Sequence, residues 1–431
     1  MTDPFQFAPI REAALDLTPR NQEKILQLME KGVEMPNPLT VDIGDDVEIG
    51  RISGNGVTIY PGCRIRGGKT VISSGVQMGC EGPVTIEDCQ IGPEVQLRGG
   101  YFHQAVFLKK AAAGSGAHVR EGCILEEEAS CAHCVGLKQT ILFPFVTLGS
   151  LINFCDCLMA GGTSLKDHSE VGSSYIHFNF SPDGDKATAS LFGDVPKGVM
   201  LNQPAIFLGG QGGAVGPLRV SYGNVVSAGT ILRKDVLTSG NLIAGKAFQS
   251  GTFPFVRDFY AGLSRIVESN IRYLANLTAL EQWYIHVRKE TLSGYELGEF
   301  IHAGALDKLA AAKKERIHRL KAVAEKMPRS IEAADDNERG RAGKLELYRN
   351  IHPVCDLFDS DMAAAAGRDD REAFLEGFHD RMKAQGSDHV GLIRGLPAIL
   401  CEKGTLWLDA IVHELCRKTA DMLPALRLFK K

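Results

Sequence analysis

A repeat period and a change in composition predict a β-solenoid of hexapeptide repeats followed by an all-α C-terminal domain. Over residues 38–250 an aliphatic residue recurs every six positions, with a small or β-branched residue four positions after it. This period is neither that of a helix nor that of a flat strand, and it is typical of a solenoid whose short strands each turn one aliphatic side chain inward. Most of the 47 glycines precede residue 252, and the period is absent after it.

Eight stretches follow one phase of this repeat, which argues against chance alternation in a β-sandwich. They are Ile43, Val47 and Ile49; Ile59, Cys63 and Ile65; Ile72, Val76 and Met78; Ile91, Val95 and Leu97; Val119, Cys123 and Leu125; Leu142, Val146 and Leu148; Leu165, Ser169 and Val171; and Val220, Asn224 and Val226. Each coil buries its surface only by stacking on the next coil, so a solenoid needs many turns.

Helical patterns lie on both sides of the repeats. Within residues 1–37, Ile25, Leu26, Leu28 and Met29 have helical spacing and Gly32 follows them, so we expect a lead-in helix there. Residues 251–431 have apolar side chains at spacings of three and four, which predicts a helical domain with helices near 305–327, 344–350, 369–385 and 405–420. This domain could cap the open end of the solenoid, supply subunit contacts or cover a substrate site.

Composition narrows the class of protein. A net charge of −4 argues against nucleic acid as a partner, and no apolar run reaches the length of a membrane span. The N-terminus lacks the apolar core of a signal peptide, and eleven cysteines without such a signal predict reduced thiols. We therefore expect a cytoplasmic protein.

Cysteine spacing raises the question of a metal. Residues 131–134 read CAHC, and Cys155 and Cys157 follow, which together allow a zinc interpretation. Cys63 and Cys123 occupy inward positions of the repeat, where cysteine acts as a small apolar residue. We expect no metal, because one Cys-x-x-Cys pair is weak evidence.

The stretch IHFNFSPDGDKAT, residues 176–188, interrupts the aliphatic repeat with polar residues. A turn requires only Pro182 and the Asp183–Gly184 pair, yet His177, Asn179 and Lys186 also cluster there. The alternatives are a solvated loop and a substrate loop.

Three stretches together resemble one enzyme family over about half of the chain. They are EKILQLMEKGVEMPNP, GSSYIHFNFSPDGDKATASLFGD and VVSAGTILRKDV. They are similar to the acetyltransferase half of the bifunctional glucosamine-1-phosphate acetyltransferase and N-acetylglucosamine-1-phosphate uridyltransferase, which makes UDP-N-acetylglucosamine. The resemblance implies a left-handed β-helix, a homotrimer, and acetyl-coenzyme A bound in the groove between neighbouring solenoids.

The resemblance also assigns site residues by position. For substrate binding, Asn179 and Lys186 match the positions that hold the sugar phosphate, and Phe180 stands where the family has a tyrosine. Independently of the resemblance, the carboxylate of Asp183 could hold an amine or shape the turn, and the turn role is favoured. For the coenzyme, the matching positions are Ser227 and Ala228 along the groove and Arg233 or Lys234 as the basic residue of the closing hexad.

Two departures from the family bear on catalysis. No Gly-x-Gly-Thr-Arg nucleotide loop opens the chain, so we expect no uridyltransferase activity. The family's general-base histidine falls in GSLINFCDC, at Phe154 or Asn153. Acetyl transfer to an amine needs a base, and an imidazole suits that task, which makes His177 the candidate catalytic residue. Its alternative is an inward structural role, and for His168 we expect a surface role.

These observations leave two classes of function open. The first is acetyl-coenzyme A-dependent acyl transfer to a phosphorylated or nucleotide-linked amino sugar. The second is a non-catalytic protein that binds a nucleotide sugar or acts as a scaffold, which the missing family histidine favours. The sequence leaves open whether the protein is an enzyme.

Overall fold

The structure is a computed structural model, and it describes residues 19–245, 251–252, 255–260, 262–333, 338–358 and 365–429. It confirms the predicted fold class, because a parallel β-solenoid is followed by a helical region. A complete coil carries three short strands, one on each of three faces, and successive coils pair in parallel.

The strands are numbered in chain order and grouped here by face. The first face holds β2 (Thr58–Ile59), β5 (Gln77–Met78), β8 (Gln96–Leu97), β11 (Ala112–Ala113), β14 (Ser130–Cys131), β16 (Thr147–Leu148), β20 (Glu170–Val171), β23 (Phe207–Leu208), β26 (Val225–Val226) and β28 (Leu242–Ile243). The second face holds β1 (Asp42–Ile43), β3 (Arg64–Arg66), β6 (Val84–Glu87), β9 (Gly100–His103), β12 (Ala117–Val119), β15 (Gly136–Leu142), β17 (Asn153–Met159), β21 (Ile176–Phe178), β24 (Gly213–Val215) and β27 (Ile231–Leu232). The third face holds β4 (Val71–Ile72), β7 (Gln90–Ile91), β10 (Ala105–Phe107), β13 (Cys123–Leu125), the ends of β15 and β17, β22 (Ser190–Phe192) and β25 (Arg219–Val220).

The six-residue period corresponds to the interior of the solenoid. In each two-residue strand of the first face up to β26 the second residue is buried, as for Ile59, Met78 and Leu97. Burying one such aliphatic side chain contributes roughly 1.5–3 kcal/mol, so repetition over many coils builds the core. One predicted repeat position is wrong: Leu165 is 57% exposed, because it lies in a hairpin that leaves the solenoid.

Three excursions interrupt the later coils. The hairpin of β18 (Gly162–Ser164) and β19 (Asp167–His168) is the first. Residues 179–189 leave between β21 and β22, at the corner of the second and third faces. Residues 193–206 leave after β22 and contain the short helix α2 (Val195–Gly198).

The predicted lead-in helix is α1 (Gln22–Lys31), and it covers the first coil. Ile25 and Leu28 are buried, while Lys24 Nζ donates to the carbonyl oxygens of Asp45 and Val47, both at 2.7 Å. The helix therefore satisfies backbone groups that the end of the solenoid would expose.

The C-terminal helices follow the last coil. They are α3 (Leu263–Trp283), α4 (Lys289–Leu292), α5 (Gly298–Glu325), α6 (Met327–Ala333), α7 (Glu338–Asp356), α8 (Arg368–Gln385), α9 (His389–Arg394) and α10 (Ala398–Met422), with a π-helical turn at Tyr284–Arg288. Residues 1–18 and 246–250 of the predicted domains lie outside the described residues, and the domain boundaries stay predictions. No helix in the described ranges is both long and apolar enough to cross a membrane.

The helices lie along the third face of the solenoid. Helix α5 contacts β7, β10 and β13, and α3 contacts β22. Outward side chains of this face are consequently buried, among them Val106, Ile124 and Leu158. Polar contacts add specificity: Tyr284 donates to Glu126 Oε1 at 2.7 Å, and Arg288 pairs with Glu127.

Candidate functional site

The candidate site is built on the loop of residues 179–188, where the second face turns into the third. Asn179 closes the base of this loop: its Nδ2 donates to Asp156 Oδ2 at 2.9 Å, and its Oδ1 accepts from Thr188 Oγ1 at 2.9 Å. Asp156 occupies the same corner one coil earlier, with a left-handed φ of 58°. The loop is therefore anchored on the solenoid beneath it.

The C-terminal region holds the same loop, and the corner of the solenoid beneath it, from the other side. The contacts are Arg316 with Asp156; Lys326 Nζ with the carbonyl oxygen of Asp183; the Asp258 amide with Asp183 Oδ1 at 2.8 Å; Tyr260 Oη with Asp185 Oδ2 at 2.7 Å; and Asn270 Nδ2 with the carbonyl oxygen of Ala187 at 3.0 Å. The helical region therefore fixes the loop of the predicted substrate site.

The pair of Arg316 and Asp156 is the most buried of these contacts. Their side chains are 2% and 7% exposed. Burial raises the pKa of the Asp156 carboxyl, and the Arg316 guanidinium acts in the opposite direction. A buried charge without its partner is costly, so this pair ties α5 strongly to the corner of the solenoid on which the loop is anchored.

A cavity of about 440 Å³ opens between this loop and the segment that leads into α3. The predicted residues Phe180 and Asp183 line it, together with Phe259, Tyr260 and Arg265 from the C-terminal region. Its volume lies within the range of about 300–1,000 Å³ that small-molecule sites occupy.

The other predicted substrate residues have different places. Asn179 lies at the base of the loop, where its amide group is engaged by Asp156 and Thr188. Lys186 is exposed, adopts a left-handed φ of 55°, and does not line the cavity. Its ammonium group therefore faces solvent beside the loop, which leaves it accessible to an anionic ligand.

The predicted coenzyme residues divide between two corners. Ser227 and Ala228 lie between the first and second faces, where Ser227 Oγ is 3.0 Å from Thr230 Oγ1 and Ala228 is exposed. Arg233 and Lys234 follow β27 and are exposed at the corner that also carries the candidate loop. Within one chain, the predicted coenzyme groove and the candidate loop are thus on different corners.

Arg265 links the second of these corners to the cavity. Its Nη2 donates to the carbonyl oxygen of Pro217 at 2.7 Å and lies 3.4 Å from that of Arg233. The basic part of the predicted coenzyme site and the cavity are consequently neighbours.

His177 lies inside the solenoid. It is 3% exposed, its Nε2 is 2.7 Å from Ser190 Oγ, and the rings of Phe154 and Phe192 pack against it. Burial lowers its pKa to about 4, well below the working range of a general base. His177 therefore lies where the alternative role, an inward structural residue, would put it. Its catalytic role stays a prediction.

The two positions matched to the family's histidine also differ from each other. Asn153 is exposed at the start of β17, while Phe154 is buried and stacks on Phe192 with 5.8 Å between ring centroids. His168 is partly exposed in the hairpin, with its Nδ1 2.8 Å from the carbonyl oxygen of Leu165. In the part of the chain that the structure describes, no group of three or more His, Cys, Asp or Glu is arranged to hold a metal.

Sequence reasoning did not find the residues of the C-terminal region that hold the loop. Arg316, Tyr260 and Asn270 are separated in the sequence from their partners by 75 residues or more. A usable signal was present in the strands of the third face, where β10, β13 and β22 carry consecutive apolar residues. Such strands are buried on both sides, which predicts that helices cover them.

Comparison with known proteins finds relatives that share one name and match about half of this chain. Bifunctional protein GlmU of Thermotoga maritima is 28% identical over 215 residues, 49% of this chain and 42% of the relative. The protein of that name from Bdellovibrio bacteriovorus is 30% identical over 229 residues, 53% of this chain and 45% of the relative. The chain therefore spans less than half the length of these curated relatives. The predicted resemblance is confirmed, and the solenoid is consistent with the acetyltransferase half. No family model matches the chain.

Proposed function

We propose that this protein transfers an acetyl group from acetyl-coenzyme A to the amino group of a phosphorylated or nucleotide-linked amino sugar, in the cytoplasm. The carrying observation is the loop of residues 179–188, which two independent sets of contacts fix beside a cavity of about 440 Å³. The similarity of the solenoid to bifunctional proteins named GlmU supports the same reaction class.

The chemistry is an acyl transfer. The neutral amine attacks the thioester carbonyl, the tetrahedral intermediate breaks its C–S bond to expel the coenzyme thiolate, and the proton that the nitrogen loses ends on that thiolate to give the free thiol. In this proposal Lys186 binds the phosphate as a point charge, and Asp183, whose Oδ1 and carbonyl oxygen are engaged by Asp258 and Lys326, shapes the turn of the loop. The loop thereby presents the amine in a fixed orientation.

A homotrimer is part of this proposal. Because Ser227 and Ala228 lie on a different corner from the loop, the coenzyme groove of one subunit would serve the loop of its neighbour. The open faces also carry exposed apolar residues in the later coils: Ile176, Phe207, Val225, Ile231 and Leu242. Their burial between subunits would favour association.

The first test measures the assembly of subunits and the catalytic turnover in the same experiment. The complete chain is incubated with acetyl-coenzyme A and either glucosamine 1-phosphate or UDP-glucosamine, and thiol release is followed while light scattering gives the mass. The proposal predicts thiol release that depends on the amino sugar, from a trimer. Val225→Glu should dissociate the trimer and abolish release, and Gln96→Glu, on the same face in an early coil, should do neither.

A second candidate function is a protein that binds a nucleotide sugar without catalysis. The burial of His177 favours it, because the candidate base does not reach the loop surface. Sugar-nucleotide binding without binding of acetyl-coenzyme A, both measured by isothermal titration, would favour this second function.

A further inference from the structure

Three exposed aromatic rings converge on the cavity beside the loop. Phe180 comes from the loop, and Phe255 and Phe259 come from the segment before α3; they are 65%, 63% and 47% exposed. A single exposed aromatic residue is ordinary on a protein surface, but several around one cavity mark a binding site. Flat ring faces of this kind stack on aromatic ligands.

The polar lining of the cavity has unused hydrogen-bonding capacity of both kinds. Arg265 uses Nη2 for backbone carbonyl oxygens, and its Nε and Nη1 have no partner among the described residues. Asp183 accepts on Oδ1 from the Asp258 amide, while its Oδ2 has no partner within that same set. The cavity therefore offers free cationic donors and one free anionic acceptor.

Two other carboxylates near the cavity are already engaged. Asp185 accepts from the Ala187 amide and from Tyr260, and Asp258 lies 4.0 Å from Lys326 Nζ. Helix α3 begins beside the cavity at Leu263, after Gly262, without a side-chain cap. The positive end of its dipole adds to the charge of Arg265 on that side.

We infer that this cavity binds the heteroaromatic base of a nucleotide-linked amino sugar, with Arg265 on the diphosphate. The base stacks on Phe180 and Phe259, and its N–H groups donate to Asp183. This inference rests on the proposed function and narrows its acceptor from sugar phosphates in general to nucleotide sugars. A purely apolar ligand such as an acyl chain fits less well, because it would leave Arg265 and Asp183 desolvated and unpaired.

The placement of the cavity agrees with such a ligand. It lies on the side of the loop that faces the C-terminal region, whereas Lys186 lies outside its lining. A nucleotide sugar anchored by its base in the cavity would extend the amino sugar along the loop toward solvent. The C-terminal region would thereby have two roles, since it fixes the loop and supplies half of the base site.

The test is isothermal titration of the complete chain with uridine, the 5′-diphosphates of uridine, cytidine, guanosine, thymidine and adenosine, glucosamine 1-phosphate and coenzyme A. Phe180→Leu and Phe259→Leu keep an apolar side chain but remove the ring. They should weaken binding of the preferred nucleoside diphosphate roughly tenfold or more and leave glucosamine 1-phosphate unchanged. Arg265→Gln should weaken binding of the nucleoside diphosphate and leave binding of the uncharged nucleoside unchanged.

Tyr348→Leu is the matched control, because Tyr348 is 48% exposed on α7 and does not line the cavity. Binding of glucosamine 1-phosphate without any nucleoside diphosphate would overturn this inference and leave the proposed function intact. Binding of neither would overturn both. If Phe180→Leu and Phe259→Leu bind the nucleoside diphosphates as tightly as the wild type does, the base site is overturned. The same conclusion follows if the two variants lose affinity for coenzyme A and for no other ligand.

Discussion

The third face of the solenoid and its first face are built from the same short strands, yet they have different surroundings. On the third face the outward residues Val106, Ile124, Ile141 and Leu158 are buried under the C-terminal helices. On the first face the outward residues of the early coils are polar, as for Gln77 and Gln96, and they are exposed.

This difference shows how one repeat serves two purposes. The inward residue of each strand stabilises the coil on every face, while the outward residue determines what the face contacts. A strand with two adjacent apolar residues needs cover on its outer side, because leaving that side in water forfeits roughly 25 cal/mol for each Å² of apolar surface. The helices pack on the third face for this reason, and the C-terminal region in turn holds the candidate loop.

The largest expected effect on stability comes from removing the buried ion pair between the C-terminal helices and the solenoid. Arg316→Met leaves Asp156 buried without its partner, which should lower the free energy of unfolding by about 3–5 kcal/mol in urea denaturation. Arg319→Met is the control, because Arg319 pairs with Glu315 at a more exposed site and should cost at most about 0.5 kcal/mol. Equal small losses in the two variants would show that this pair does not hold the helices to the solenoid.

The exposed edge of the loop should matter for binding rather than for stability. If Lys186 binds the phosphate as proposed, Lys186→Ala removes a charged hydrogen bond and should weaken sugar-phosphate binding by about 1.5–3 kcal/mol in isothermal titration, with the unfolding midpoint unchanged. Lys166→Ala, in the exposed hairpin, should change neither quantity. An unchanged affinity in Lys186→Ala would remove this residue from the site.

The free energy of unfolding should also depend on pH through Glu126, which lies on the side of the solenoid that the helices cover. The first and second faces, which the helices leave open, should not contribute to this dependence. Burial raises the pKa of Glu126 to about 7, against the lowering effect of Arg288. The folded state therefore binds more protons than the unfolded state from pH 4.5 to 7. The stabilising contribution is complete below pH 4.5 and is lost as the pH rises through 7, with an expected fall of about 1–3 kcal/mol.

Urea denaturation over pH 4.5–8 checks this dependence. Glu126→Gln should remove the fall, because the amide does not titrate. Glu128→Gln, at the same corner, should keep it. A fall that survives in Glu126→Gln would assign the dependence to another group.

The smallest expected effect tests how the loop is anchored on the solenoid itself. Thr188→Val keeps the shape but removes the hydroxyl that donates to Asn179, so the free energy of unfolding should fall by about 0.5–1.5 kcal/mol. Thr163→Val, which loses a hydrogen bond to Asp167 in the exposed hairpin, provides the comparison and should cost less. If both variants match the wild type, the bond between Thr188 and Asn179 contributes nothing measurable.

The sequence by itself determined the interior of the solenoid, the lead-in helix and the candidate loop. A six-residue period specifies which side chain of each coil points inward, and this local rule holds wherever coils stack without interruption, as at Ile59 and Leu97. The rule failed at Leu165, because this residue lies in a hairpin that leaves the solenoid and has no inward position there. The polar cluster around Asn179 was visible for the same reason, since it breaks the local pattern.

Only the tertiary structure decided what surrounds that loop. The contacts of Arg316 with Asp156 and of Tyr260 with Asp185 join residues 160 and 75 positions apart, and no local period encodes such pairs. Whether His177 points inward was likewise left open by the sequence, since an imidazole suits both a base and a buried filler. Packing of whole elements sets these distances, and it places half of the candidate site in a region where the sequence shows no catalytic pattern.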